Sequence, residues 1–339
     1  MTRFWMLPDG VEEALPPVSW WLEDVRRALL DHYRERSYEL IFPPLIEYLD
    51  TLLTGTGSDL ESQTFKLTDP VGGRLLGLRA DMTPQASRIA ARHFAEVPVV
   101  RLCYLGTVLR ARPDSLGGSR APRQVGCEIF GEADLSADLE ILGLMLDTIR
   151  LAGVRDAHID LGHVGIYRAL AAQLGLAADD ETAIFDILQR KSQPDLRDFA
   201  SAKGLEPAVT RDLSTLMELN GDVTVLQRAR QMLDVSKPAI GEALMALERA
   251  ADELQRTAPN TPLHVDLGEL RGYRYQTGLV FAAFAPGHGR DIARGGRFEG
   301  VAGGTGKTRT ATGFSADLNE LLHLGAAQSA ATPPAVAAQ

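Results

Sequence analysis

The chain has 339 residues and a formal charge of −10, with 45% hydrophobic and 24% charged residues. That length suits about two domains, and the composition is that of a globular chain with a full-sized core, not a disordered or fibrous one. The acidic balance excludes an overall electrostatic footprint for nucleic acid. No apolar run approaches the ~18 residues of a membrane span. The N-terminus has no basic segment followed by an apolar core, so a cytoplasmic protein is expected. The two cysteines, Cys103 and Cys127, lie in apolar runs without histidine partners at metal spacing. Buried free thiols are therefore expected, and neither a metal nor another cofactor.

Taken in order, the chain opens with a stretch broken by Pro8, Pro16 and Pro17. Ser19 is placed to cap a helix running to about Arg36, with Leu22, Val25, Leu29 and Tyr33 on its buried stripe. Tyr38 to Phe42 reads as a short strand stopped by Pro43-Pro44. Residues 51–61 read as a polar loop, and its Gly55-x-Gly57 lacks the third glycine of a dinucleotide fingerprint. Gln63–Thr68 and Arg74–Ala80 read as paired strands. Thr83-Pro84 starts a helix, with threonine as the cap. Val99–Leu109 and Val125–Phe130 are strands on either side of a Gly-, Ser- and Pro-rich loop, Pro113–Pro122. Ser136 is placed to cap a helix to about Ala152.

The segments His158-Ile159-Asp160-Leu161-Gly162 and His264-Val265-Asp266-Leu267-Gly268 share a pattern and read as two strands of one sheet. Between them strand signals vanish and helical periodicity dominates. The organisation expected is a core of residues 1–163 and 259–324, an all-helical insertion at 164–258 and a disordered tail at 325–339. After the insertion come strands at Thr277–Phe284, Asp291–Ala293 and Thr312–Ala316, a tight turn at Arg294–Gly300 and a last helix at Asp317–Leu324. Gly303-Gly304-Thr305-Gly306-Lys307-Thr308 imitates a phosphate loop, but the glycine needed five residues before Gly306 is Val301. His158, His163 and His264 lack ligand spacing and read as ordinary strand histidines.

Charges inside apolar strands need a reason, because a buried unpaired charge is costly. Arg79, Asp81, Arg110 and Glu128 sit in or beside such strands. They form either a pocket for a small zwitterion or ion pairs that rim the sheet. A later block, Leu270-Arg271-Gly272-Tyr273-Arg274-Tyr275-Gln276-Thr277-Gly278, adds arginines suited to a carboxylate and glycines that allow close backbone approach.

Four blocks in this order resemble the core of class II aminoacyl-tRNA synthetases, specifically histidyl-tRNA synthetase, over roughly residues 4–324. They are Leu78-Arg79-Ala80-Asp81-Met82-Thr83, Gly126-Cys127-Glu128-Ile129-Phe130-Gly131, Arg271-Gly272 with Tyr275, and Gly295-Gly296-Arg297-Phe298-Glu299-Gly300. The resemblance implies an α+β fold, an antiparallel sheet with flanking helices, and a histidine pocket. In it Asp81, Thr83 and Gln124 meet the ammonium, and Arg110, Gln124 and Arg271 meet the carboxylate. Glu128 accepts from the imidazole, and Tyr275 or Gln276 completes the site.

The departures concern ATP. Motif 2 of the family has an arginine followed two residues later by glutamate, where this chain reads Arg110-Ala111-Arg112. Glu320 stands where the motif 3 arginine meets the triphosphate. Attraction becomes repulsion, each on the order of 4 kcal/mol at ~4 Å and an effective dielectric of about 20. The chain ends soon after this helix, so the resemblance implies no anticodon-binding domain. A core that keeps the amino-acid pocket and loses the ATP elements resembles the ATP phosphoribosyltransferase regulatory subunits. The blocks Leu7-Pro8-Asp9-Gly10, Pro43-Pro44-Leu45-Ile46-Glu47-Tyr48 and Thr64-Phe65-Lys66-Leu67 are typical of them. That resemblance implies a non-catalytic histidine sensor. It would form a homodimer and assemble with a short-form catalytic subunit into a hetero-octamer for the first step of histidine biosynthesis. The alternative is a truncated histidyl-tRNA synthetase or an amino-acid-adenylating enzyme.

Overall fold

A computed structural model describes residues 6–54, 58–113, 118–172, 178–269, 275–301 and 308–331. The phosphate-loop imitation at Gly303–Thr308 lies largely outside them, as does Arg271. In chain order the elements are α1 (Val18–Glu35), β1 (Glu39–Leu40), β2 (Ile46–Tyr48), α2 (Leu49–Leu52), α3 (Ser58–Gln63), β3 (Phe65–Thr68), β4 (Leu75–Leu78), α4 (Thr83–His93), β5 (Val100–Thr107), β6 (Arg123–Phe130) and α5 (Leu135–Leu151). There follow β7 (His158–His163), α6 (Val164–Ala171), α7 (Ala178–Gln189), α8 (Gln193–Lys203), α9 (Pro207–Glu218), β8 (Asn220–Gly221), α10 (Val225–Met232) and α11 (Pro238–Thr257). The last are β9 (Leu263–Asp266), β10 (Gln276–Phe284), β11 (Asp291–Glu299), β12 (Thr310–Asp317) and α12 (Leu318–Ala331).

The chain divides into two compact units, one of residues 1–137, 144–155 and 299–339, the other of 138–143 and 156–298. In the first, β1 runs parallel to β5, β5 antiparallel to β6, and β6 antiparallel to β12. A separate antiparallel sheet has the order β2-β4-β3. The stripe predicted on α1 packs inward, with Val25, Leu29 and Tyr33 buried. The Tyr33 hydroxyl bonds Thr148 on α5 at 2.7 Å, as a buried tyrosine requires. Cys103 and Cys127 are buried free thiols that face each other in the β5–β6 register.

In the second unit β11, β10 and β7 are antiparallel neighbours, β7 runs parallel to β9, and β8 closes against β9. The two look-alike segments are thus adjacent strands, with Asp160 opposite His264. Among the described residues the stretch between them holds α6 to α11 and also β8, so the insertion expected to be all-helical carries one short strand, added to the sheet edge at β9. His158 stacks on Phe284, His163 caps α6 by accepting from the Gly165 amide, and His264 lies 3.5 Å from Asp160. Among the described residues no cluster suits a metal ion, and no helix is long and apolar enough to cross a membrane.

Several boundaries differ from the sequence expectation. Ser19 lies inside α1, and the first strand is only Glu39–Leu40. The stretch read as a polar loop at 51–61 holds the end of α2 and most of α3, apart from residues outside the described set. Met82, not Thr83, is the N-cap of α4, and Asp134, not Ser136, caps α5. Arg294–Glu299 continues β11 and is not a turn. The last helix runs past Gly325 to Ala331 where a tail was expected.

The charged pair Arg297–Asp138 stands out in the second unit. Arg297 Nη2 meets the Asp138 carboxylate at 2.7 Å, with side chains 12% and 2% exposed. Removing one partner strands the other charge, so Asp138→Ala should destabilise the fold by about 3–5 kcal/mol, measured by urea unfolding.

Candidate functional site

The antiparallel register of β5, β6 and β12 builds the site in the first unit. Alternation puts Gln124, Gly126 and Glu128 on one face of β6. Leu102 pairs with Glu128, Tyr104 with Gly126, and Gly106 with Gln124. From the other side Gly313 pairs with Glu128 and Asp317 with Gln124. Two glycines make room. A Cβ at Gly126 would lie 2.6 Å from the Tyr104 hydroxyl, and one at Gly313 would collide with the Glu128 carboxylate.

The segment before α4 meets this face. Asp81 Oδ1 accepts from the Thr83 amide at 2.9 Å and from Gln124 Nε2 at 2.8 Å. Gln124 Oε1 accepts from the Met82 amide at 2.8 Å. The carboxamide is thereby fixed in orientation, since each end has a partner of the right polarity. Because Thr83 is inside the helix and not its cap, its hydroxyl is available to Tyr104, 3.1 Å away. Tyr104 donates to Glu128 Oε1 at 3.0 Å. Glu128 Oε2 is buried and has no hydrogen-bond partner among the described residues. Burial pushes the Glu128 carboxyl well above the usual carboxylate range. The Thr83 and Tyr104 hydroxyls oppose that rise, and the neighbouring Asp81 charge reinforces it. Tyr104 is raised as well, by burial first and then by Glu128 and Asp81.

Of the eight predicted residues, Asp81, Thr83, Gln124 and Glu128 therefore join one hydrogen-bonded cluster. Arg110 bridges Thr64 through its backbone and donates its amide to the Arg120 carbonyl at 2.8 Å. Its charge acts on Asp317, whose carboxyl burial pushes up to about 6, with Glu320 adding to the rise. Asp317 Oδ1 accepts from the Asn319 and Arg123 amides at 3.0 and 3.2 Å. A cavity of about 290 Å³ lies beside Arg123, Asn319 and His323 and is lined by none of the predicted residues. In the second unit Tyr275 stacks on Phe298 with centroids 4.7 Å apart, and the backbone carbonyl of Gln276 accepts from Arg168 at 2.8 Å. Arg271 lies outside the described residues.

Sequence reading missed Tyr104 and Gly313. A tyrosine in the middle of an apolar strand was a usable signal, because its hydroxyl needs a buried partner.

What this cluster offers is a fixed amide, two carboxyl groups and two hydroxyls, the donors and acceptors suited to a small zwitterion with a polar side chain. The histidyl-tRNA synthetase family model matches residues 10–321, so fold and site place the chain in the histidyl-tRNA synthetase-like class. An ATP phosphoribosyltransferase regulatory subunit/histidyl-tRNA synthetase from Bacillus halodurans has a similar fold, with a TM-score of 0.81 and 24% identity over 96% of this chain and 84% of that one. The ATP phosphoribosyltransferase (HisG:HisZ) complex from Thermotoga maritima contains a chain of similar fold, with a TM-score of 0.66 and 17% identity over 87% of this chain and 96% of that one. Within that class the chain belongs to the ATP phosphoribosyltransferase regulatory subunits, a non-catalytic branch. The regulatory subunit of Thioalkalivibrio sulfidiphilus is 52% identical over 97% of this chain and 83% of its own length.

Two outcomes test the geometry. Gly313→Ala should cost about 1–3 kcal/mol of stability through overpacking against Glu128, measured by urea unfolding. Asp317 has a folded pKa above its ordinary 3.8, so its stabilising effect is full below that value and lost as pH rises through about 6. Relative to Asp317→Asn, the parent chain should gain on the order of 1–3 kcal/mol on acidification through that window.

Proposed function

We propose that this chain is the histidine-sensing regulatory subunit of an ATP phosphoribosyltransferase. It binds a short-form catalytic subunit, supports the first step of histidine biosynthesis and carries feedback by L-histidine. The observation that supports this most is the Asp81–Gln124 and Tyr104–Glu128 cluster, in a chain whose curated relatives are named regulatory subunits. Asp81, Thr83 and Gln124 would hold the ammonium and Glu128 the imidazole. Arg110 and Arg271 for the carboxylate, and Tyr275 and Gln276 for the ring, are carried by sequence resemblance. No cofactor is needed for such a role, and we place it in the cytoplasm.

A homodimer of the core fits the first unit's surface. Leu40, Phe42, Leu45, Ile46 and Tyr48 are all exposed within one short run, with Phe42 77% exposed. Such clustered apolar surface favours a protein partner. Assembly with the catalytic subunit would then give a hetero-octamer.

Histidine regulates only if it favours one conformation of the assembly over another. The test is a pull-down with a short-form catalytic subunit, followed by activity measured with and without histidine. The expected result is co-purification and histidine-dependent inhibition of the complex. ATP–pyrophosphate exchange by this chain alone would overturn the reading in favour of an adenylating enzyme. Calorimetry should show histidine binding that Arg271→Ala weakens at least about tenfold, the loss of one charged contact. The thermal unfolding of that variant should be unchanged.

A further inference from the structure

The unpaired oxygen of Glu128 says more than which ligand the site takes. Oε1 accepts the Tyr104 proton at 3.0 Å, while Oε2 is buried and bonded to nothing among the described residues. The groups facing this carboxyl are Tyr104 from β5, Thr83 from α4, Asp81 ahead of α4, and the backbone of β12 at Gly313. Among the described residues one of them is a second acid, and none is a cation. A full negative charge here would have only the Tyr104 and Thr83 hydroxyls to answer it and no donor on Oε2, an arrangement that burial penalises. A neutral acid instead places its proton on Oε2, the oxygen beside Gly313 with no donor aimed at it, and so has an O–H to give to an acceptor. Burial raises the carboxyl in the direction this requires.

We propose that Glu128 is a protonated carboxylic acid in the empty site and that it recognises histidine by passing its Oε2 proton to a ring nitrogen. This rests on the histidine reading given above and adds the proton's origin. The O–H bond of Glu128 breaks and an N–H bond forms on the ring lone pair, leaving a carboxylate beside an imidazolium. Charge and proton number do not change. The Asp81 charge, which opposes ionisation of Glu128 in the empty site, then favours the cationic ring. Ligand selection follows from basicity. A side chain with a basic heterocyclic nitrogen completes the transfer, and one of similar shape without such a nitrogen leaves Oε2–H unsatisfied.

Calorimetry of the full chain with L-histidine, in two buffers of different ionisation enthalpy, counts the protons exchanged with solvent. A free ring titrates near ~6.5, so at about pH 7.5 neutral histidine meets protonated Glu128 and no net proton should be taken up. At about pH 5.5 the ligand arrives as imidazolium, and about one proton should be released. An already ionised Glu128 that pairs with imidazolium gives the opposite pattern, about one proton taken up at the higher pH and none released at the lower, and would overturn the proposal. Nitrogen NMR of isotope-labelled histidine should show a bound imidazolium at the higher pH; a neutral bound ring overturns it as well. In Glu128→Gln, which has no proton to pass, the bound ring should be neutral and binding at least about tenfold weaker, one lost charge-assisted hydrogen bond. An imidazolium ring in that variant would also count against the transfer. The decisive proton count uses the unaltered chain, so it stands even if the variant misfolds. Absence of any histidine binding by the unaltered chain would instead remove the underlying ligand reading.

Discussion

The architecture of the first unit is governed by one constraint, a carboxyl group in the middle of a buried strand. Glu128 is 1% exposed on β6, flanked by β5 and β12. A side chain of that polarity persists there only if its neighbours provide space and hydrogen bonds. Gly313 yields the volume above it on one side. On the other, Gly126 lets the Tyr104 ring lie flat enough for its hydroxyl to reach Oε1. Thr83 abuts that hydroxyl from the first turn of α4, and Asp81 ties α4 to β6 through Gln124. Register, glycine placement and helix start are thus one arrangement. A slip of one residue in either ladder would turn Glu128 to the opposite face and leave Tyr104 without its partner.

That dependence explains what could be read from the chain and what could not. The strands, the α1 stripe and the pairing of the two look-alike segments were legible because hydrophobic period and repeat pattern are local. Asp81 and Glu128 were legible because charges in or beside apolar strands are anomalous, whereas Thr83 and Gln124 were reached only through the family resemblance. Tyr104 passed as core because its ring is apolar, and only the register reveals where its hydroxyl goes. Gly313 could not be read at all, since its role is the absence of a Cβ opposite a residue remote in sequence.

The misread boundaries share a cause. Gly295-Gly296-Arg297 reads as a turn because paired glycines favour one. In β11 they serve close approach instead: a Cβ at Gly296 would lie 2.9 Å from Gln276 Oε1. Gly325 reads as a helix stop, yet α12 passes through it, because a Cβ there would collide with the Ala152 carbonyl at the end of α5. Glycine marks conformational freedom or proximity, and sequence alone does not separate the two. The caps show the same ambiguity. Ser136 and Thr83 both have capping chemistry, but Asp134 caps one helix and the Thr83 hydroxyl turns to Tyr104.

The two halves of the proposed pocket rest on different physical constraints. The Asp81, Gln124, Tyr104 and Glu128 cluster is written into strand register, where a change disturbs buried hydrogen bonds on neighbouring strands. The end that the synthetase uses for triphosphate depends on single charges on a loop and a helix, Arg110-Ala111-Arg112 and the position of Glu320. Reversing one such charge leaves the backbone intact. It also leaves a trace in the electrostatics, for the Asp317 carboxyl is held up to about 6 by burial with Glu320 pushing the same way. Asp317 and Glu320 thus form an acidic spot at the start of α12, which disfavours an anion there. A ligand held by the Asp81–Glu128 cluster without any following reaction would act only through the conformations it favours, which is what a regulatory subunit requires.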